Sequence, residues 1–573
     1  MSLFKGAREQ IAVRSADSPA VDRLATELRI PSAAARILVA RGMVDAKACR
    51  EFFQPSKDGF IDPFRFTAME KAVNRIRQAI EKGEKITVYG DYDVDGITGT
   101  ALITRCLRLL GAAVDYLLPY RLIDGYGVSA AGVRQIAESG ASLIVTVDCG
   151  ITAVHEVALA TGLGLDVILT DHHEPKETLP AALAILNPKV VSCNYPDRDL
   201  AGVGVVFKLC QALAQATGKG FPFWEQFLDL AALGTAADIV PLVGENRIIA
   251  RFGFERMHAT KNVGLAALIE QQGLSGKKFS TSEAVFQLAP CINAAGRIGD
   301  PRRAVELLLT EDAGIAAACA RELRNANSER RAIDSTVWDE ADAWVTANCD
   351  DEHDIAIVAG NAAWHPGVIG IVASKLVEKF HRPAILFAIA PDGSARGSGR
   401  SIPGLHLLDA LAECADLLDE FGGHAAAAGM TCRSARIGAF RERFNAVVAS
   451  SVSPESLCPS VWADAEVPLS ALTPELFSCI RGMEPFGPGN MQPILYCRDL
   501  HHRYAPRIVG SGNKHVKMTV TSGALVMDAI AFNFGDRLDE LKAAPSFSLA
   551  FALDENEWNG RKTLQMRVKG ICQ

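Results

Sequence analysis

Paired cysteines, long apolar runs and a basic excess are all missing from this chain. None of its 14 cysteines stands in a Cys-x-x-Cys spacing, which argues against a zinc ribbon or a disulfide framework and fits a reducing compartment. No long uncharged apolar stretch occurs, and the start, Met1-Ser-Leu-Phe-Lys-Gly-Ala-Arg8, has no apolar h-region. No membrane partner is therefore expected, and the cytoplasm is the expected location. The formal charge of −8 rules out a uniformly basic nucleic-acid coat. It does not rule out nucleic acid, because a few cations along one groove, aided by metal ions, set the local field.

What is present is ordinary globular composition, 49% apolar and 22% charged, over 573 residues. That length is too great for one core and predicts about three or four domains. Residues 1–65 read as short helices. From 66 to 190, short β-branched runs alternate with helical stretches, the pattern of βαβ crossovers on a parallel sheet. A helical region follows from 201 to 345, and its charged stretch Ala313–Val345 reads as a solvated connecting helix rather than a basic patch. A second α/β unit begins at Asp354-Ile-Ala-Ile-Val-Ala359, and Ser450–Ser456 reads as a linker. Beyond 458 the chain turns to short β-rich runs with Gly and Asn turns, which predict a small antiparallel barrel of the OB type.

Three of the β-branched runs end in acid or histidine. Lys85-Ile-Thr-Val-Tyr89 leads to Asp91-Tyr-Asp93-Val-Asp95, Ser142–Val147 leads to Asp148, and Asp166–Thr170 leads to Asp171-His172-His173. Ligands of open parallel sheets bind just beyond the carboxyl ends of the strands, so these groups are expected to meet in one crevice. Carboxylates suit Mg²⁺ or Mn²⁺, and an imidazole tilts the preference toward Mn²⁺. Read as a continued extended segment, Asp91, Asp93 and Asp95 would point to one side. The plainer reading of any one cluster is turn chemistry or a helix cap; three on successive strand ends favour the metal crevice. Cys149, beside Asp148, reads as a small buried filler. Asp238, at the end of an apolar helix, reads on its residues alone as either a ligand or an ordinary helix end.

These segments resemble the DHH phosphoesterase superfamily, and within it the bacterial single-strand-specific exonucleases. The resemblance is carried by Val88-Tyr-Gly-Asp-Tyr-Asp-Val-Asp-Gly96, Thr146-Val-Asp-Cys-Gly150, Leu169-Thr-Asp-His-His-Glu-Pro175 and Gly234-Thr-Ala-Ala-Asp-Ile-Val-Pro-Leu242. Further matching segments are Pro119–Gly127, Ile292–Pro301, Trp364–Gly370, Ala395–Ser401 and Gly422-Gly-His424. The fold so implied is α/β: a parallel-sheet DHH domain, a long helix, a second α/β (DHHA1-like) domain and a C-terminal OB-like β-barrel. The corresponding boundaries are a helical segment at 1–65, the DHH catalytic domain at 66–265, a helical connector at 266–350, the DHHA1-like domain at 351–450 and the OB-like domain at 451–573.

The resemblance implies a two-metal, Mn²⁺- or Mg²⁺-dependent exonuclease that degrades single-stranded DNA 5′→3′ to mononucleotides in repair and recombination. Asp91, Asp93 and Asp148 would hold one ion, and Asp95, Asp148, His172 and Asp238 the other. His173 would stand beside the scissile phosphate, and Asp171 would orient a histidine. Smaller members of the superfamily carry a histidine where this chain has Tyr89, so Asp91 is taken as its substitute. The 5′ phosphate would meet Arg121 and Arg297, with Ser398, Arg400 and Ser401 reaching across from the second domain. Gly423 and His424, with Gly422, would bring backbone amides to phosphates. The plainer reading of Arg297 is an ion pair with Asp300, and that of the glycines a packing turn. His365 is either a phosphate contact or an idle loop residue. Bases would stack on the terminal β domain near Lys514, His515, Lys517, Trp558, Arg561 and Lys562, although Trp558-Asn-Gly560 also fits an ordinary hairpin turn. A groove too narrow for duplex would give single-strand specificity. The implied partners are single-stranded DNA with a 5′ end, a single-strand-binding protein and a helicase, with the enzyme a monomer. The competing functions are a phosphodiesterase of tiny oligonucleotides or cyclic dinucleotides, and a non-catalytic DNA-binding scaffold.

Overall fold

Five strands, Lys85–Gly90, Ala113–Leu117, Ala141–Val147, Asp166–Thr170 and Ala184–Leu186, form one wholly parallel sheet in a computed structural model of the chain. The structure describes residues 10–119, 127–350, 354–510, 512, 514–558 and 560–572. In the sheet the strand at 85–90 lies between those at 113–117 and 141–147, followed by 166–170 and 184–186. The central strands are buried on both faces, as their continuous Ile/Val/Leu runs require. The three-residue strand at 184–186 is too short to leave a periodic signal in the sequence. This sheet belongs to a compact unit of residues 54–330 and 484–491.

The helix Val94–Leu109 follows the first of these strands in the chain. Asp93 is its N-cap and accepts the Gly96 N–H at 3.0 Å, so Asp95 already lies in the first helical turn. Asp91, Asp93 and Asp95 therefore do not share one extended segment, and strand alternation does not bring them to one side. The strand ends at Gly90, immediately before the acids, and a short polar side chain satisfies the first helical N–H groups instead.

The second unit comprises residues 1–53, 331–483 and 492–573. The first part is not purely helical: Gln10–Val13 is a strand, paired in parallel with Ser460–Ala463. Ile11 and Val13 pack with Val461, Tyr496 and Ala550, and that apolar contact outweighs the helical tendency of so short a run. Helices Ser18–Leu28, Ser32–Ala40 and Ala46–Phe53 follow. The charged connecting stretch is one helix, Ala313–Asn348.

The second α/β sheet is mixed. Ile357–Asn361 and Ala384–Ile389 are parallel, while Ser394–Arg400, Ala427–Arg433 and Glu420–Gly423 add antiparallel to the edge. The glycine- and alanine-rich segment at 421–430 is thus largely strand. Small residues permit close strand approach there but hide the usual β-branched signal. Among the described residues, seven strands form the C-terminal barrel, in which Leu495–His502 pairs with both Phe547–Trp558 and His515–Ser522. That double pairing partly closes the sheet. Val516, Met518 and Val520 alternate inward along one strand, the period-2 pattern of a half-buried strand. The run 547–558 returns as Arg561–Cys572 through a hairpin in which Trp558 opposes Arg561.

Candidate metal centre

The loops leaving the first, third and fourth of the parallel strands converge at their carboxyl ends. Three groups of ligand atoms lie within 4.8 Å of one another: Asp91, Asp93 and Asp148; Asp148, His172 and His173; and Asp95, His172 and Asp238. Asp148 belongs to two of these groups and His172 to two. His172 Nε2 lies 3.1 Å from Asp148 Oδ1, 3.5 Å from Asp238 Oδ2 and 3.9 Å from Asp95 Oδ2. The five acids and one histidine read as ligands thus come together, Asp238 included.

Each group is held by a specific local device. Asp148 takes φ 61°, a left-handed conformation rare for a non-glycine residue, with its N–H on Thr170 O at 3.0 Å. Gly202 allows this approach, since a Cβ there would lie 2.7 Å from Asp148 Cβ. Asp95 accepts the N–H groups of Gly202 and Val203, each at 2.7 Å, at the start of the helix Gly202–Ala216. A carboxylate is favoured at such a helix N-terminus, and each oxygen keeps a further lone pair. Sequence reading passed over Gly202 and Val203; the Ala201-Gly-Val-Gly204 turn opening an apolar helix was the available signal.

Asp171 is built differently. Its Oδ1 accepts the N–H groups of His172 (2.7 Å) and His173 (3.1 Å), and its Oδ2 that of Ile151 (2.9 Å). His173 Nδ1 lies 2.8 Å from Oδ1. An ionised carboxylate only accepts, so Nδ1 carries the proton. Burial works against the Asp171 charge, but the His173 hydrogen bond and charge prevail and hold its pKa below the usual range. His173 is raised in turn: burial lowers it, and the Asp171 bond more than offsets that.

The remaining acids crowd one another. Burial first, then the charge of Asp93, raises Asp95 to about 7. Burial, then Asp95 and Asp93, raises Asp238 to about 9. Asp148 is raised well above the carboxylate range by burial and by Asp95, Asp93, Asp238 and Asp91. His172 is lowered to about 3, chiefly by burial and then by His173, which keeps its imidazole in the neutral, ligating form. Among the described residues, Asp148 Oδ1, Asp238 Oδ2 and both His172 ring nitrogens are buried with no hydrogen-bond partner. Buried polar atoms rarely stay unsatisfied. Oxygen donors with one imidazole around mutually repelling acids fit divalent cations such as Mn²⁺ or Mg²⁺. Cys149 is fully buried, and burial holds its thiol in the protonated form, in keeping with a filler.

Tyr89 does not face this cluster as a ligand. Its hydroxyl accepts the Ser129 N–H (3.2 Å) and reaches Gly127 O (3.3 Å), so it ties down the chain entering the helix Ala130–Glu138. Arg121 lies outside the described residues. Arg297 is half-buried in the last turn of Ala289–Ile298. That helix lies on the acidic loop, because a Cβ on Gly296 would stand 2.8 Å from Tyr92 O. Asp300, considered as its ion-pair partner, binds Arg302 at 2.7 Å.

In the second α/β domain, Arg400 Nη1 donates to Ser398 Oγ (3.2 Å) and Gly399 O (2.7 Å). Ser401 Oγ donates to Leu405 O at 2.8 Å. Gly370 leaves room for both Ser398 and Arg400, since a Cβ there would lie 2.8 Å from Ser398 Oγ. Gly422 and Gly423 form an exposed edge strand, and His424 beside them is exposed. His365 Nδ1 accepts the Gly367 N–H at 3.0 Å, a turn role. On the barrel, Lys562 pairs with Glu555 (2.8 Å) and Lys517 with Asp528 (3.8 Å). Phe532, which sequence reading missed, is 42% exposed, with His515 5.0 Å and the Arg567 guanidinium 5.4 Å from its ring.

Known proteins share this organisation. Residues 85–235 match the DHH family, N-terminal domain; 354–450 the DHHA1 domain; and 463–570 the RecJ OB domain. The chain is 41% identical to the single-stranded-DNA-specific exonuclease RecJ of Bacillus subtilis over 97% of its length and 70% of the relative's. It is 37% identical to that of Escherichia coli over 98% of its length and 99% of the relative's. The crystal structure of RecJ in complex with Mn²⁺ from Thermus thermophilus superimposes with a TM-score of 0.85 at 32% identity, covering 99% of this chain and 80% of that one. Among the described residues no helix is long and apolar enough to cross a membrane. The acidic strand-end cluster, the three matched domains and this full-length likeness together place the chain in the RecJ family of single-stranded-DNA-specific exonucleases.

Proposed function

We propose that this protein hydrolyses single-stranded DNA from its 5′ end, releasing 5′-mononucleotides with two divalent ions, in DNA repair and recombination in the cytoplasm. The observation that carries this reading is the double membership of Asp148, which stands with Asp91 and Asp93 on one side and within 3.1 Å of His172 on the other. Asp91, Asp93 and Asp148 hold one ion; Asp95, Asp148, His172 and Asp238 hold the other. Ions of this kind, Mn²⁺ or Mg²⁺, supply the positive charge that activates water and stabilises the leaving oxygen in phosphoryl displacement. His173, with its Nδ1–H on Asp171 and its pKa raised by that partner, takes a second proton and donates its Nε2–H to a phosphate oxygen. The buried Asp171 holds that ring in one orientation.

The terminal phosphate is assigned to Arg121, Arg297, Ser398, Arg400, Ser401, Gly423 and His424. The support for Arg297 is its helix, seated on Tyr92 between Asp91 and Asp93. Guanidinium forks bind phosphate oxygens bidentately. Phe532, flanked by His515 and Arg567, gives the barrel an aromatic and cationic face of the kind on which bases stack. A helicase and a single-strand-binding protein would supply the substrate. The experiment is digestion of a 3′-labelled, 5′-phosphorylated oligonucleotide in Mn²⁺, beside its 5′-labelled twin and the same strand in blunt duplex. The 3′ label should persist on progressively shorter single strands, while the 5′ label leaves at once as mononucleotide and the duplex survives. Shortening from the 3′ end, or equal loss of the duplex, would overturn the reading.

A further inference from the structure

We propose that Arg247 is a positioning residue for Asp238, acting through the segment Glu484–Met491; the inference rests on the two-ion reading of the site. Asp238 closes the helix Leu228–Ala237, its N–H on Gly234 O at 3.0 Å. The next residue, Ile239, has φ 67° and is 70% exposed. A β-branched residue keeps a left-handed backbone only when its surroundings over-determine it. An exposed side chain contributes little to that.

The restraint comes from the residues that follow. Leu242 N–H donates to Pro488 O at 2.7 Å. Asn246 Nδ2 donates to Pro241 O at 3.1 Å and to Asp199 O at 2.6 Å. Glu484–Met491 belongs to the same compact unit as Asp238, although Met483 and Gln492 do not. The segment lies directly on the turn, for a Cβ on Gly487 would stand 2.6 Å from the Leu242 side chain. It is closed on itself by the paired backbone bonds of Gly487 and Asn490 (3.0 and 2.9 Å) and by Asn490 Nδ2 on Pro485 O (2.9 Å).

Arg247 grips the start of that segment. Its guanidinium donates to Glu484 O at 2.9 Å and Pro485 O at 3.4 Å, and the residue is 4% exposed. The position is costly for a cation. It lies in the first turn of the helix Gly244–Met257, where the dipole disfavours positive charge, and burial with Arg251 nearby lowers its pKa to about 10. A planar fork can hold two carbonyls together, which a single ammonium cannot. The contacts therefore run from Arg247 through Pro485 and Pro488 to Leu242, and so to the turn that aims Asp238 at His172.

The test is calorimetric titration of the full-length protein with Mn²⁺, alongside thermal melting, for the native chain, Arg247→Met, Arg247→Lys and Asn490→Ala. Arg247→Met should bind the ion at Asp95, His172 and Asp238 about 10–100-fold more weakly, with the other ion unchanged, and Arg247→Lys should fall between. Asn490→Ala loosens the segment without touching the buried charge and should weaken the same single ion, which keeps the test decisive if Arg247→Met does not fold. Folded variants with both affinities intact, or with both equally reduced, would overturn the proposal alone. A native chain that takes up no Mn²⁺ would overturn the two-ion reading with it.

Discussion

His173 Nδ1 and Asp171 Oδ1 lie 2.8 Å apart, and the same oxygen takes the backbone N–H groups of both histidines. One buried carboxylate thus fixes the fold of the loop and the tautomer of the ring. Asp171→Asn keeps the shape but presents an amide whose NH₂ can face the ring. Single-strand binding should persist, while kcat falls by about 10²–10⁴-fold. Gel-shift binding and single-turnover hydrolysis would separate the two. Unchanged turnover would remove His173 from the reaction.

Metal-free protein should lose stability as pH rises from about 7 to about 9. Asp238 is raised to about 9 in the folded state, so the folded chain holds a proton there that the unfolded chain has already released. Stability then falls with rising pH across that window. Asp148 and His173 are also raised and act with the same sign. His172, lowered to about 3, works the other way only below its usual value of 6.5. Melting temperatures measured in chelator should therefore decline over this range, and excess Mn²⁺ should raise and flatten them. A flat or rising profile in chelator would show that the acids are not crowded as described.

Away from the site, Lys208 and Glu245 form a fully buried ion pair at 2.6 Å. Glu245 also accepts from the Tyr195 hydroxyl and from Ile61 N–H (3.0 Å), which ties the chain before the first parallel strand to the helices Gly202–Ala216 and Gly244–Met257. Lys208→Met leaves that carboxylate buried without its cation and should cost about 3–5 kcal/mol. The double variant Lys208→Met, Glu245→Leu should lose less than Lys208→Met alone. Urea denaturation reads both, and a single variant as stable as the native chain would contradict the pair's role.

The strand ends were legible because β-branched runs alternate with helices of crossover length, and parallel topology then brings Asp91, Asp148 and His172 to one edge. The start of the following helix was not. Whether Asp93 continues a strand or caps a helix depends on one bond to Gly96 that periodicity does not encode. Asp238 was open on its residues alone, since an apolar helix end followed by proline is common. Family resemblance supplied it, and the structure brings it within 3.5 Å of His172. Gly202, Phe532 and the Pro485–Asn490 segment escaped notice because their roles exist only through distant partners. The N-terminal strand Gln10–Val13 escaped for the same reason, its partner lying at Ser460–Ala463.

The account turns on Asp148 being shared between two ions. Electron paramagnetic resonance of the protein titrated with Mn²⁺ tests this directly, because two Mn²⁺ ions about 3.5–4 Å apart and bridged by one carboxylate give a coupled spectrum. The native chain should bind two ions and show that coupling, and Asp148→Ala should lose the coupled signal while remaining folded. A native chain that binds only isolated Mn²⁺, or an Asp148→Ala variant that keeps the coupled pair, would contradict it.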